Sequence, residues 1–198
     1  MNRNDHNPEI HDDVVLDTAI AVLELCSVAR GVEVADQVLK EAAVDLLFAS
    51  PVQPGKYVMM FTGSVQDVRA SAARGAQLAG ADLVDQTVIP QVHEQVVPML
   101  KRKGGKINGN LDAVGIVETT TVASAIVSAD VALKTATVDL VDIRIANGLG
   151  GKSFYTVTGE VSDVRSAVAA GARMAQERGQ LAREVVIPRP HPQLVRHL

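Results

Sequence analysis

The chain has 198 residues, of which 47% are hydrophobic and 21% are charged, with a formal net charge of −4 and a single cysteine. Residues 1–17 carry one basic and five acidic side chains, so the rest of the chain is neutral, which excludes the concentrated basic face of a nucleic-acid platform. No apolar run approaches the ~20 residues of a membrane span, no secretory signal pattern is present, and one cysteine excludes an intramolecular disulfide. We therefore expect a globular cytoplasmic protein without nucleic-acid or membrane partners.

Residues 1–17 are polar and acidic and show no sustained hydrophobic period. We interpret them as a flexible N-terminal extension. His6 and His11 within this extension are expected to be solvated side chains rather than metal ligands.

Residues 18–99 form a first domain with two amphipathic helices. In each helix, apolar residues recur at spacings of three and four, which places them on one face and is typical of helices that pack on a core. The faces are Val28, Val32, Ala35, Leu39 and Ala42 in the first helix, and Val65, Val68, Ala72, Ala76 and Ala79 in the second.

Residues 100–112 join this domain to a second one. The run KRKGGKINGN at 101–110 is rich in basic residues and glycine, which is typical of an exposed linker. The basic run could alternatively bind phosphate or RNA, or contact the acidic extension. A solvated linker is the preferred interpretation.

Residues 113–198 repeat the first domain. The offset between the copies changes only in loops, which indicates two copies of one structural unit. The aligned pairs are Glu24 with Glu118, Asp36 with Asp130 and Lys40 with Lys134 at an offset of 94, Gly63 with Gly159 at 96, and His93 with His191 at 98.

The strands of the second copy lie between and after its helices. Val141, Ile143 and Ile145 alternate with polar residues, the period of a half-buried strand, and a last strand is expected at 184–187. Each copy therefore reads β-α-β-β-α-β, with two helices on one face of an antiparallel sheet. We predict an α+β protein of two tandem ferredoxin-like units.

No residue pattern predicts catalysis. The glycine-rich loop at 147–151 leads from strand to strand, whereas a phosphate-binding loop leads into a helix, so we interpret it as a hairpin connection. Cys26 is replaced by Thr120 in the second copy, and His93 and His191 are expected at a surface or interface. With no metal-ligand or paired-carboxylate spacing, we expect neither an enzyme nor a cofactor.

Several motifs of the second copy occur in a fixed order. They are VGIVET at 114–119, SAD at 128–130, KTA at 134–136, the glycine-rich loop, TGEV at 158–161 and VIPRPH at 186–191. Together they resemble the shell domain of bacterial microcompartments, the protein shells around metabolic enzymes, and residues 20–97 resemble it more loosely. The elements follow the usual order rather than the circularly permuted one.

The resemblance implies a structural protein of the microcompartment shell, located in the cytoplasm. Three tandem-domain chains would form a homotrimer that mimics a hexamer. Its partners would be itself and the other hexameric, trimeric and pentameric shell proteins. A central pore would pass small polar or anionic metabolites.

The resemblance also assigns residues to these roles. Pore loops correspond to Pro51, Val52, Gln53, Pro54 and Gly55 in the first copy, and to Ala146, Asn147, Gly148, Leu149, Gly150 and Gly151 in the second. Edges between neighbouring tiles correspond to Lys40, Lys134, Arg189 and His191. Gln91 replaces the edge arginine in the first copy, which predicts unequal edges. Because neither loop has a cysteine, the iron–sulfur cluster of some tandem members is not expected.

The alternative hypothesis is a tandem ferredoxin-like regulator that binds a small ligand, since modules of this fold serve many functions. The Pro-Arg-Pro-His ending and the Asp-x-x-x-Lys helix pattern distinguish the two, because only the shell hypothesis gives them a role.

Overall fold

The computed structural model describes residues 19–101, 111–146 and 148–195. The predicted acidic extension, with His6 and His11, and most of the predicted basic linker lie outside the described residues.

The first copy contains four strands and two long helices in the predicted order. Its elements are β1 (Ala19–Leu25), α1 (Val28–Glu41), β2 (Val44–Val52), β3 (Lys56–Gly63), α2 (Val65–Ala79) and β4 (Leu83–Ile89), followed by the short helix α3 (Val96–Leu100). α3 was not predicted from the sequence.

The second copy repeats this order. Its elements are β5 (Ala113–Thr119), α4 (Val122–Thr135), β6 (Asp139–Ile145), β7 (Ser153–Gly159), α5 (Val161–Glu177), β8 (Leu181–Pro188) and α6 (Pro192–Val195). The last strand is longer than the predicted 184–187, because a bulge between Glu118 and Thr119 lets Leu181 pair with Thr119.

Each copy forms one antiparallel sheet. The strand orders are β2-β3-β1-β4 and β6-β7-β5-β8, with every neighbouring pair antiparallel. A bulge interrupts β2 between Leu46 and Phe48, and a bulge at the equivalent place interrupts β6 between Leu140 and Asp142. The predicted tandem βαββαβ fold is confirmed.

The chain folds into two compact units. The first contains β1 to β4 together with the short segments Thr121–Ala123 and Ala146–Gly151. The second begins at His93 and contains the remaining described residues, so α3 belongs to it.

The core of the first unit lies between its sheet and its helices. Alternate residues of β1, from Ala19 to Leu25, pack with Val34 and Val38 of α1 and with Val68 of α2. Both helices begin with a serine N-cap, in which Ser27 accepts from the backbone N–H of Arg30 and Ser64 from that of Asp67. Such caps satisfy backbone donors that the first helical turn leaves open.

The predicted inward face of α1 is wrong at three positions, although Ala35 is buried as predicted. Val28, Val32 and Leu39 are 37%, 56% and 44% exposed, and the buried residues of the helix are Gly31, Val34, Ala35 and Val38. Both stripes have helical spacing, and the deciding contact is at Gly31, where an added Cβ would overlap the ring of Tyr57. In α4, by contrast, the equivalent residues Val122, Ile126 and Leu133 are all buried.

Candidate functional site

The first predicted pore loop is the tight hairpin between β2 and β3. Val52 is buried, whereas Pro51, Gln53, Pro54 and Gly55 are exposed. Gly55 donates its N–H to the carbonyl of Val52 at 2.9 Å and has a φ of +99°, a conformation that glycine adopts without steric strain.

The second predicted loop connects β6 and β7. Ala146 is buried and accepts a hydrogen bond from the N–H of Leu149 at 3.3 Å. Gly148, Gly150 and Gly151 have φ values of +72°, +62° and +86°, which explains the glycines of this loop. Asn147 lies outside the described residues.

The structure places residues of the two loops side by side, within the first compact unit. A Cβ added at Gly151 would come within 2.9 Å of Pro54 Cδ, 3.6 Å of Lys56 Nζ and 3.7 Å of the Gln53 carbonyl oxygen. The two loops and the lysine that follows the first one therefore form a single cluster.

A buried carboxylate anchors the lysine of this cluster. Lys56 Nζ lies 2.8 Å from Glu24 Oε1, and Glu24 Oε2 accepts the backbone N–H of Val122 at 2.8 Å, also within the first unit. Desolvation raises the pKa of Glu24 above its ordinary value of 4.5, although the hydrogen bonds from Lys56 and Val122 oppose the shift. Glu24 is the only charged residue of the otherwise apolar strand β1. A carboxylate in such a strand is the sequence feature that could have indicated a buried polar contact at this position.

The second copy contains the same ion pair in a more open setting. Lys152 Nζ lies 3.1 Å from Glu118 Oε1, and both side chains are more exposed than their counterparts Lys56 and Glu24. The lysine after each loop is thus paired with a strand glutamate, and the described loop residues contain no acidic side chain.

The predicted edge residues lie on two helices and one turn. Lys40 and Lys134 are in the last turns of α1 and α4, as predicted, and each pairs with the aspartate one turn earlier at 2.6 Å. The hydrogen bond from Lys40 lowers the pKa of Asp36.

Arg189 and His191 lie in the turn between β8 and α6. Arg189 has a φ of +48° and is exposed, and its N–H donates to the carbonyl of Asp112 at 2.7 Å. His191 is exposed, and its Nδ1 accepts the N–H of Gln193 at 3.2 Å.

Cys26 is exposed, with its Sγ 3.5 Å from Asp82 Oδ1. Among the described residues, no group of three or more His, Cys, Asp and Glu side chains could hold a metal ion. None of the helices in the described part of the chain is both long and apolar enough to cross a membrane.

Comparison with known protein families identifies the unit that repeats. The model of the BMC domain matches residues 19–92 and again residues 113–190. The chain belongs to the BMC domain family. It carries two such domains in tandem, as the sequence motifs predicted.

Curated relatives match over most of the chain. The bacterial microcompartment shell protein PduT of Citrobacter freundii is 43% identical over 180 residues, which cover 91% of this chain and 97% of that protein. The carboxysome assembly protein CcmO of Synechococcus elongatus is 30% identical over 182 residues, covering 87% of this chain and 65% of CcmO.

Solved structures agree with this assignment. The crystal structure of a microcompartment protein from Desulfitobacterium hafniense DCB is 47% identical, has a TM-score of 0.78, and is matched over 92% of this chain and 99% of that one. The fused permuted hexameric shell protein MSM0275 of the RMM microcompartment has a TM-score of 0.62 at 21% identity, over 83% of this chain and 84% of its own, which shows similarity of fold alone. The named relatives are shell and assembly proteins rather than enzymes, and they favour the shell hypothesis over the ligand-binding regulator.

Proposed function

We propose that this chain is a structural tile of a bacterial microcompartment shell and that three copies assemble into a ring of six BMC domains. We assign residues 18–99 and 113–198 to the two shell domains, residues 100–112 to the linker and residues 1–17 to an extension. The observation that carries the proposal is the tandem BMC domain, since three two-domain chains supply six similar units around one axis. Closed cyclic symmetry of this kind is the usual arrangement of homo-oligomers.

The mass of the assembled protein is the first test. Light scattering after size exclusion is expected to give three times the 20.9 kDa of one chain, and electron microscopy of the same fraction is expected to show hexagonal discs with a central hole. A dimer without such discs would contradict the ring and would return attention to the regulator hypothesis.

The loop cluster is the proposed lining of the pore. In a ring of three chains, residues 51–55 and Ala146–Gly151 would alternate around the axis, and the described loop residues add backbone N–H groups and glycines but no carboxylate. Such a lining favours small polar or anionic metabolites, because backbone N–H groups in glycine-rich turns attract negative charge.

A charge introduced at Gly150 tests the pore. Gly150 has a positive φ and open space around an added Cβ, and aspartate and asparagine are among the residues that tolerate this conformation. Shells that enclose a lactate-consuming reporter enzyme are expected to admit lactate several-fold more slowly with Gly150→Asp than with wild type. Glycerol, which is neutral, should enter at an unchanged rate.

Gly150→Asn is the matched control, because it adds the same side-chain volume without charge. Equal lactate entry into Gly150→Asp and Gly150→Asn shells would show that these loops do not line the route of the anion.

The edges of the tile are proposed to include Lys40, Lys134 and Arg189, with other shell proteins as neighbours. All three side chains are exposed in the chain, as contacts between separate tiles require. Lys40→Ala combined with Lys134→Ala is expected to keep the trimer mass and abolish extended sheets in electron micrographs. Arg69→Ala, an exposed residue of α2 with no proposed contact, is the control and should still form sheets.

A further inference from the structure

One segment of the second compact unit, residues 93–100, is held by contacts that its repeat equivalent, residues 191–195, does not make with any of the described residues. The backbone N–H of His93 donates to Asp130 Oδ1 at 2.7 Å, and Gln95 Oε1 accepts the N–H of Leu140 at 2.7 Å. α3 follows directly and packs on β6, with Val96, Val97, Met99 and Leu100 buried. The segment 93–100 is therefore fixed by two hydrogen bonds and an apolar contact.

The repeat equivalent of the aspartate partner is exposed, and that of Leu140, which is Leu46, is half-buried. The Asp36 side chain is 54% exposed, whereas that of Asp130 is 5% exposed. At the other end of the contact, His191 and Gln193 are exposed, and Leu194 is exposed where its equivalent Val96 is buried.

The exposed segment nevertheless has the conformation that the buried one uses. His93 Nδ1 accepts the N–H of Gln95 at 3.3 Å, and His191 Nδ1 accepts that of Gln193 at 3.2 Å. The carbonyl of His93 accepts from Val96 at 3.0 Å, and that of His191 accepts from Leu194 at 2.8 Å. Residues 191–195 therefore already have the conformation needed for the contact that residues 93–97 make.

The surface that would receive this segment is also present in the first unit. The bulge that accompanies the Leu140 contact in β6 recurs at Leu46 in β2. The outer stripe of α1, which consists of Val28, Val32 and Leu39, is exposed. An apolar stripe beside a matching hydrogen-bonding site is typical of a surface that another polypeptide covers.

We propose that a second copy of this chain docks its residues 191–195 against α1 and β2. In this contact the backbone N–H of His191 donates to the Asp36 carboxylate, and Gln193 Oε1 accepts the backbone N–H of Leu46. The Leu194 side chain covers part of the apolar stripe. The inference rests on the proposed homotrimer and names its interface. The docking segment and the receiving surface are different parts of the chain, so the contact is head-to-tail. Repeating such a contact forms a ring when the rotation from one chain to the next is a whole fraction of a full turn.

Engineered disulfides test the pairing directly. In a Cys26→Ser background, which removes the natural thiol, oxidation of Asp36→Cys with His191→Cys is expected to give covalent dimers and trimers on a non-reducing gel. Asp130→Cys with His93→Cys is the matched control, since these residues meet within one chain. It should form its bridge without an increase in mass.

The outcomes separate the interface from the function. A monomer band for the Asp36/His191 pair, from protein that light scattering shows to be trimeric, would overturn this interface and leave the proposed shell function standing. A single-chain mass for wild-type protein would overturn the proposed trimer together with the interface.

A variant without new cysteines gives an independent measurement. Gln193→Ala removes one neutral hydrogen bond, and about 1 kcal/mol corresponds to a roughly fivefold higher dissociation constant per interface. Gln66→Ala, an exposed glutamine of α2 outside the proposed contact, should leave trimer dissociation on dilution unchanged. Equal dissociation of the two variants would refute the proposal.

Discussion

Packing between β5 and α5 gives a sharp test of how the two copies adjust side-chain volume. Gly115 faces α5 so closely that an added Cβ would overlap Val168 Cγ2 and come within 2.8 Å of Val164 Cγ1. In the first copy the equivalent residues are both alanine, Ala21 and Ala72, and both are buried. Each copy therefore fills the same space with a different pair of side chains.

Single substitutions at this contact should each destabilise the protein. Gly115→Ala overpacks a site walled by stiff branched side chains, at a cost of about 1–3 kcal/mol. Val168→Ala removes two buried methyl groups and leaves a cavity, which amounts to about 2–3 kcal/mol at roughly 0.8 kcal/mol per group plus the cavity. In the double variant the new methyl group occupies part of the cavity, so we expect a coupling of about 1–2 kcal/mol in its favour.

Urea unfolding followed by circular dichroism provides the measurement. All variants must be compared at one protomer concentration, because the stability of an oligomer depends on it. The reverse exchange, Ala21→Gly with Ala72→Val, is the matched control in the first copy and should show coupling of the same sign. A double variant whose loss equals the sum of the single losses within about 0.5 kcal/mol would refute the reasoning.

Three further predictions concern buried polar groups. Because the pKa of Glu24 is raised above 4.5, its ionised form is disfavoured in the folded state. The unfolding free energy of wild type minus that of Glu24→Gln should therefore fall as the pH rises from about 4 to about 7. An increase of this difference with pH in urea titrations would contradict the prediction. Tyr155→Phe removes the hydroxyl 3.0 Å from Ser128 Oγ and should lower stability by about 0.5–1.5 kcal/mol in thermal unfolding, where an unchanged midpoint would count against a structural role for the hydroxyl. Asp130→Ala removes the acceptor of the partly buried backbone N–H of His93 and should cost about 1–3 kcal/mol. Asp36→Ala should change the unfolding free energy of the monomeric chain by less than about 0.5 kcal/mol, and equal losses would contradict the difference in burial.

The sequence pattern predicted the fold because the chain repeats itself. Alternation in β6 and the spacing of apolar residues in the two helices of the first copy were sufficient for element type and order, and the constant offset within elements fixed the domain count. The pattern failed at the inward face of α1, where two apolar stripes have the same spacing. Tertiary contact decides between them, because only a glycine at position 31 lets the ring of Tyr57 approach the helix.

The candidate site was predictable only in part. Glycine and proline identified the two loops as hairpins, but the proximity of Gly151 to Pro54 depends on tertiary structure. The role of Glu24 was missed because its partners, Lys56 and the backbone of Val122, are 32 and 98 residues away along the chain. A carboxylate in an apolar strand signals that partners exist, and three-dimensional structure is needed to name them.

Domain duplication has a physical consequence for the proposed ring. Each association event loses translational and rotational freedom at an estimated 4–15 kcal/mol, and six separate domains need more such events than three two-domain chains. A covalent linker replaces part of that loss with a high effective concentration. Duplication also lets the two copies diverge in sequence. Arg189 of the second copy, for example, corresponds to Gln91 in the first. A ring of three chains can therefore present two kinds of edge in alternation, which a ring of six identical chains cannot do.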